Sequence, residues 1–216
     1  MFFVLKRDWW KLIMLLFFGY FYILMLQITL RYIPMANDVS FLAIKQEEVT
    51  TIPGYLSIFY VHVYSSIFTL FFGIVQFIKI KNDRIKKFHQ LFGKSYFYLT
   101  IFLAAPSGIF IGFFANGGLS SKIGFVLLGS LWFYFTLVGV LKIKQKNIKS
   151  HQSFMMRSYA LALSALTLRA WKVIIVYFFH PAPMDVYQII AWLGFVPNLM
   201  FVEWYISKKK SKNLNL

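Results

Sequence analysis

The 216-residue chain is 59% hydrophobic and contains 26 phenylalanines, more apolar surface than one soluble core of this size can bury, which excludes an ordinary water-soluble domain. Its net charge of +16 would fit nucleic acid, but the basic residues gather at the ends of apolar runs, so anionic lipid headgroups are the expected partner and nucleic acid is not. With no cysteine, disulfides, thiolate metal sites and cysteine nucleophiles are excluded.

Six apolar runs reach or approach the roughly 20 helical residues needed to cross a hydrocarbon layer of about 30 Å. They cover about 12–30, 54–78, 95–115, 122–141, 154–178 and 187–207. Each is too long and too uniformly apolar for a membrane strand, and a helix satisfies its own backbone inside lipid. The expected fold is therefore all-α, a polytopic membrane bundle of about six transmembrane helices. The first run follows Lys6 and Arg7 as a signal peptide would, but it is long and LQITLRYIPMAND offers no A-x-A-like cleavage site, so a retained helix is expected. The segment 31–53 is the longest loop and has room for a short surface helix. Other connections are short, which predicts antiparallel neighbours.

Charge sets the orientation. Lys6, Arg7 and Lys11 precede the first run. Lys79, Lys81, Arg84, Lys86, Lys87 and Lys94 follow the second, Lys142, Lys144, Lys146 and Lys149 the fourth, and Lys208, Lys209, Lys210 and Lys212 the sixth. These positions share one side of the membrane, and the positive-inside rule makes that side cytoplasmic, with both termini there. The expected organisation is a single membrane domain over 1–207 with a disordered basic tail over 208–216, in the cytoplasmic membrane of a bacterium.

Two segments repeat. HQLFGKSY at 89–96 follows KIKNDRIKKF, and HQSFMMRSY at 151–159 follows KIKQKNIKS. Both hairpins run in the same direction, so a duplication would relate spans 2–3 to spans 4–5 as parallel repeats about an axis along the membrane normal. The competing reading is that two basic loops converged on similar turn-and-anchor chemistry. HQLFGKSYFYL, APSGIF, GGLSSKIGFVLLGSLWFYFT and HQSFMMRSYALALSALTLRAW, in that order, resemble the motif series of a bacterial membrane family catalogued as domain of unknown function 2306 (DUF2306). The resemblance covers about 54–180. It implies a polytopic protein and brings no established reaction. The family's pattern often carries Arg where this chain has Gln90 and Lys94.

Ionisable groups inside a membrane are costly and mark candidate sites. On the inner side, Arg157 and Glu203 lie about one turn inside their spans at matching depth, predicting a structural ion pair. His89 and His151 suit axial ligation of a b-type haem between the third and fifth spans, with Gly93 leaving room for the macrocycle and flanking lysines for the propionates. An interfacial structural role is the alternative. The fourth span has no histidine, so a two-haem arrangement would be incomplete. On the outer side, His62 and Arg169 lie about 12–14 Å deep. They suit an anionic or carbonyl-bearing ligand such as a quinone headgroup, whereas the competing reading has Arg169 snorkelling or bonding helix carbonyls. Lys172 and His180 are weaker members of this outer set.

The chain has no phosphate-binding loop, dinucleotide fingerprint, H-E-x-x-H or G-x-S-x-G, and no paired carboxylates in its spans. Three functional readings stay open: a haem-binding membrane redox protein, a non-haem transporter or ligand-binding protein with an outer pocket, and an accessory subunit of a membrane complex.

Overall fold

The computed structural model describes residues 2–78 and 80–214. Lys79 of the first basic run and Asn215 and Leu216 of the tail lie outside the described residues, as do the side chains of Lys6, Arg7, Lys11 and Lys212. Among the described residues the secondary structure is helical, without strands. The chain divides into two compact units, 1–46 and 47–216.

The first unit holds α1 (Phe2–Leu30) and a 3-10 turn (Ser40–Ile44). Its loop is tied by side chains: the Phe41 N–H donates to Tyr32 Oη at 3.3 Å, and Gln46 Nε2 donates to Leu42 O at 2.9 Å. The short α2 (Gln46–Thr51) begins at the last residue of the first unit, and its remainder belongs to the second.

That second unit is a helical bundle. It contains α3 (Tyr55–Val75), α4 (Asp83–Leu99), a π-helical turn (Thr100–Ala104) and α5 (Ala105–Gly112). There follow α6 (Gly118–Lys144), α7 (Ile148–Ala162), α8 (Ser164–Phe179), α9 (Pro183–Leu193) and α10 (Val196–Leu214). Four helical stretches are long and apolar enough to cross a membrane: Tyr55–Val75, Asp83–Gly112, Gly118–Lys144 and Pro183–Ser211. The pair α7 and α8 makes a fifth if its 40° bend lies within one span. In α1 the apolar stretch among the described residues is Leu16–Leu30.

Local chemistry explains the turns. Asn82 and Asn147 cap the two re-entering helices, their Oδ1 atoms accepting from Ile85 N at 2.9 Å and Ser150 N at 3.0 Å. Helix α6 ends with Lys146 in the left-handed region (φ 59°). The Asn147 N–H returns to Lys142 O and the Lys146 N–H to Ile143 O, each at 2.9 Å, which closes a Schellman motif. His180 (φ 46°) ends α8 in the same region, with its N–H on Val176 O and Pro181 following. Its backbone role is termination.

The fifth apolar run, about 154–178, breaks at Leu163 although no Pro or Gly lies nearby. Asn198 of α10 provides the physical reason. Its Nδ2 donates to Ala160 O, a carbonyl whose helical partner the break removes, and also faces Thr167 Oγ1 and Gly194 O, all within 3.1 Å. A side chain inserted into the hydrogen-bond ladder is a recognised cause of kinks. The basic tail, expected to be disordered, continues α10 as helix to Leu214. Its Lys, Ser and Asn residues include no Pro or Gly to stop the helix.

Helix α6 occupies the middle of the bundle, packing against α5, α7, α9 and the π turn. Small residues permit this. A Cβ on Gly129 would lie 2.7 Å from Ile109 Cγ1 of α5, and one on Gly139 would lie 2.7 Å from Met155 Sδ of α7.

Candidate functional site

The repeat histidines occupy equivalent places across their hairpins. His151 Nδ1 is 2.7 Å from the carbonyl oxygen of Gly139, at the end of α6. That oxygen can only accept, so Nδ1 carries the proton and Nε2 presents a lone pair. His89 Nδ1 faces the side chain of Gln76, just beyond α3, at 3.3 Å. In the amide orientation that satisfies both ends, Gln76 nitrogen meets His89 O and Nδ1 while its oxygen accepts from Gly93 N. Gln76 and Gly139 each stand three residues before a K-I-K triplet. One hairpin therefore uses a side-chain amide where the other uses a backbone carbonyl bared by glycine. His89 and His151 are also within electrostatic range of each other.

Near them, Arg157 and Glu203 form a two-pronged ion pair. Arg157 Nη2 donates to Glu203 Oε2 at 2.8 Å, and Nε donates to Oε1. The guanidinium also lies over Phe154 at 5.2 Å and Phe135 at 5.9 Å. Glu203 is 51% exposed, so the pair is worth little in isolation. A double-mutant cycle of Arg157→Gln with Glu203→Gln, read by thermal unfolding in mild detergent, should give a coupling of about 1 kcal/mol or less. Arg157→Lys should lose most of it, because an ammonium keeps the charge but not the fork.

His62 and Arg169 are also within electrostatic range of each other. His62 Nδ1 donates to Ala104 O at 3.0 Å and lies 3.4 Å from Ser107 Oγ, while Nε2 faces Ser66 Oγ at 3.5 Å. A Cβ on Gly108 would lie 2.8 Å from His62 Cε1. The A-P-S-G sequence 105–108 thus seats this imidazole. Arg169 Nη1 donates to Ala165 O at 2.6 Å, and its side chain is engaged elsewhere as well. Lys172 lies over the Tyr187 ring at 5.2 Å.

A buried polar hub is absent from the sequence-based site. Trp132 Nε1 donates to Tyr96 Oη at 3.0 Å. Tyr96 Oη and Ser158 Oγ are 2.7 Å apart, and Ser158 Oγ and Thr136 Oγ1 are 2.6 Å apart. Thr136 Oγ1 donates to Trp132 O at 2.7 Å. An indole N–H only donates and a carbonyl only accepts, so every proton has one place: Trp132 to Tyr96, Tyr96 to Ser158, Ser158 to Thr136, and Thr136 back to Trp132. The ring joins α4, α6 and α7. Tyr96 and Ser158 sit inside the two repeated motifs, which was the available signal. Thr136 carried no such signal.

These helices and motifs define a polytopic membrane protein. The family model described as predicted membrane protein (DUF2306) matches residues 59–206, and the chain belongs to that family. No curated protein and no solved structure matches it.

Proposed function

We propose that this is a six-span protein of the bacterial cytoplasmic membrane, with both termini cytoplasmic, that binds one b-type haem through His89 and His151 and acts in electron transfer. The observation carrying this reading is the pair of imidazoles in mutual range, each with Nδ1 held by the preceding helix. His151 is in the tautomer that ligates iron through Nε2, and a backbone carbonyl on Nδ1 is a common outer partner of such ligands. At His89 the Gln76 amide N–H donates to Nδ1, so Nε2 carries the proton, and ligation through Nε2 requires that proton to move to Nδ1 and Gln76 to give up this bond. Bound haem would supply a one-electron couple, and Lys86, Lys87 and Lys94 offer charge for its propionates. The orientation rests on the one-sided distribution of Lys and Arg. His89→Ala and His151→Ala should each remove or alter the same pigment, while His180→Ala leaves it unchanged. A pigment indifferent to both repeat histidines would overturn the assignment.

A second reading, a small anionic or carbonyl-bearing ligand beside His62 and Arg169, is supported by their proximity and by the His62 lone pair that Ala104 O leaves at Nε2. Here a short-chain benzoquinone should raise the melting temperature of the protein, and Arg169→Ala should abolish the rise. An undiminished rise in Arg169→Ala would count against it.

A further inference from the structure

Two helical stretches of the second unit break side by side. Helix α7 gives way to α8 at Leu163, and α9 gives way to α10 at Gly194 and Phe195. Pro197 has no N–H to return to Leu193 O, so the second break is written into the chain. Each break is stitched by the other. Thr167 Oγ1 of α8 donates to Gly194 O at 2.6 Å, and Asn198 Nδ2 of α10 donates to Ala160 O at 3.1 Å. The backbones meet closely here, since a Cβ on Gly194 would lie 3.1 Å from Leu168 Cβ.

Beyond the breaks, α8 and α9 form a hairpin with a core of its own. Ile175 is buried with Val186 and Ile190, and Leu168 and Leu193 pack against them. Lys172 of α8 lies over the ring of Tyr187 of α9, and the connecting turn carries Pro181 and Pro183, whose φ angles are fixed. Helix α9 is the principal packing partner of α8, whose Val173, Tyr177 and Phe178 are exposed. The hairpin rests on the bundle through the contact of α9 with α6. Small residues line that contact. A Cβ on Gly124 would lie 3.3 Å from Ala191 Cβ, and the Trp192 indole N–H donates to Ser120 Oγ at 3.1 Å. Packed helices can shear by small sliding, and hinges concentrate change in a few residues at element ends. Leu163, Gly194 and Phe195 stand at such ends.

We infer that α8 and α9 move as one rigid hairpin about the paired breaks, sliding over α6. Arg169 and Lys172 travel with the hairpin, while His62 stays on α3. The motion is therefore a gate that changes the separation of Arg169 from His62, and it requires neither haem nor a ligand. Asn198 and Thr167 set its balance, because they stitch the breaks about which it turns.

The chain has no cysteine of its own, so paired nitroxide labels can be placed on the full protein without removing any native residue's thiol. Phe113→Cys at the end of α5 and Ala182→Cys at the hairpin tip are both exposed positions. Double electron–electron resonance between them, in mild detergent, should resolve two distances several ångströms apart. Asn198→Ala and Thr167→Val should each change the weights of the two. A pair within the hairpin, Val173→Cys with Ala182→Cys, should give one narrow distance in every background. One narrow distance from Phe113→Cys to Ala182→Cys, the same in all three backgrounds, would overturn the inference. Broadening in the hairpin pair as well would also overturn it, because α8 and α9 would then be moving separately.

Discussion

Gly73→Ala should be among the most damaging single-methyl substitutions in the chain, lowering stability by about 2 kcal/mol or more. In an isolated helix the same change would help by about 1 kcal/mol, since alanine is the better helix former. Packing decides the sign. The new Cβ would lie 2.2 Å from Tyr159 Cε2, 2.3 Å from its Cδ2 and 3.1 Å from Tyr96 Cε2. The Tyr159 ring cannot simply swing aside. Its hydroxyl donates to Leu70 O at 3.2 Å, and Phe77 packs against it with ring centroids 5.1 Å apart. Relief therefore requires α3 to move from α7. Thermal unfolding in mild detergent checks this, and Tyr159→Leu in the same chain should recover part of the loss. A melting temperature unchanged by Gly73→Ala would show that α3 shifts without cost.

Tyr96→Phe should cost about 2–3 kcal/mol, because it leaves the buried Trp132 N–H without an acceptor and removes the proton given to Ser158. Tyr159→Phe provides the control. Its hydroxyl donates to a carbonyl already inside a helix, so its loss should cost about 1 kcal/mol or less. Adding Trp132→Phe to Tyr96→Phe should cost less than the two separate changes sum to, since the orphaned donor is then gone. Equal effects for the two tyrosine variants would mean that the hub contributes no more than an ordinary contact.

The membrane class and the long helices were legible because lipid demands long apolar runs and internal backbone bonding. The motifs HQLFGKSY and HQSFMMRSY were legible as a repeat, but what their residues touch was not. Gly73 and Gly139 look like any other glycine in a span, and only packing shows that one receives Tyr159 while the other bares a carbonyl for His151. The break at Leu163 had no local signal. Its cause sits on another helix, at Asn198, 35 residues further along the chain. His62 was legible as a buried ionisable group, yet its seat on Ala104, Ser107 and Gly108 comes from a helix more than 40 residues away in sequence. Pro106 is legible as a helix disruptor, and the chain meets it with a π turn over Thr100–Ala104.

The repeat histidines are held differently. At His151 the Nδ1–H closes the hairpin and Nε2 is left as a ligand, whereas His89, whose Nδ1 accepts from Gln76, is a latch that becomes a ligand only when its proton changes nitrogen. The most direct measurement is an ultraviolet–visible spectrum of the detergent-purified protein, oxidised and then reduced with dithionite, with haem quantified as its pyridine complex. Haem ligation at His89 and His151 predicts a sharp reduced alpha band and close to one haem per chain. A colourless protein, still colourless after expression with added haem, would contradict it and leave both histidines as latches of their hairpins.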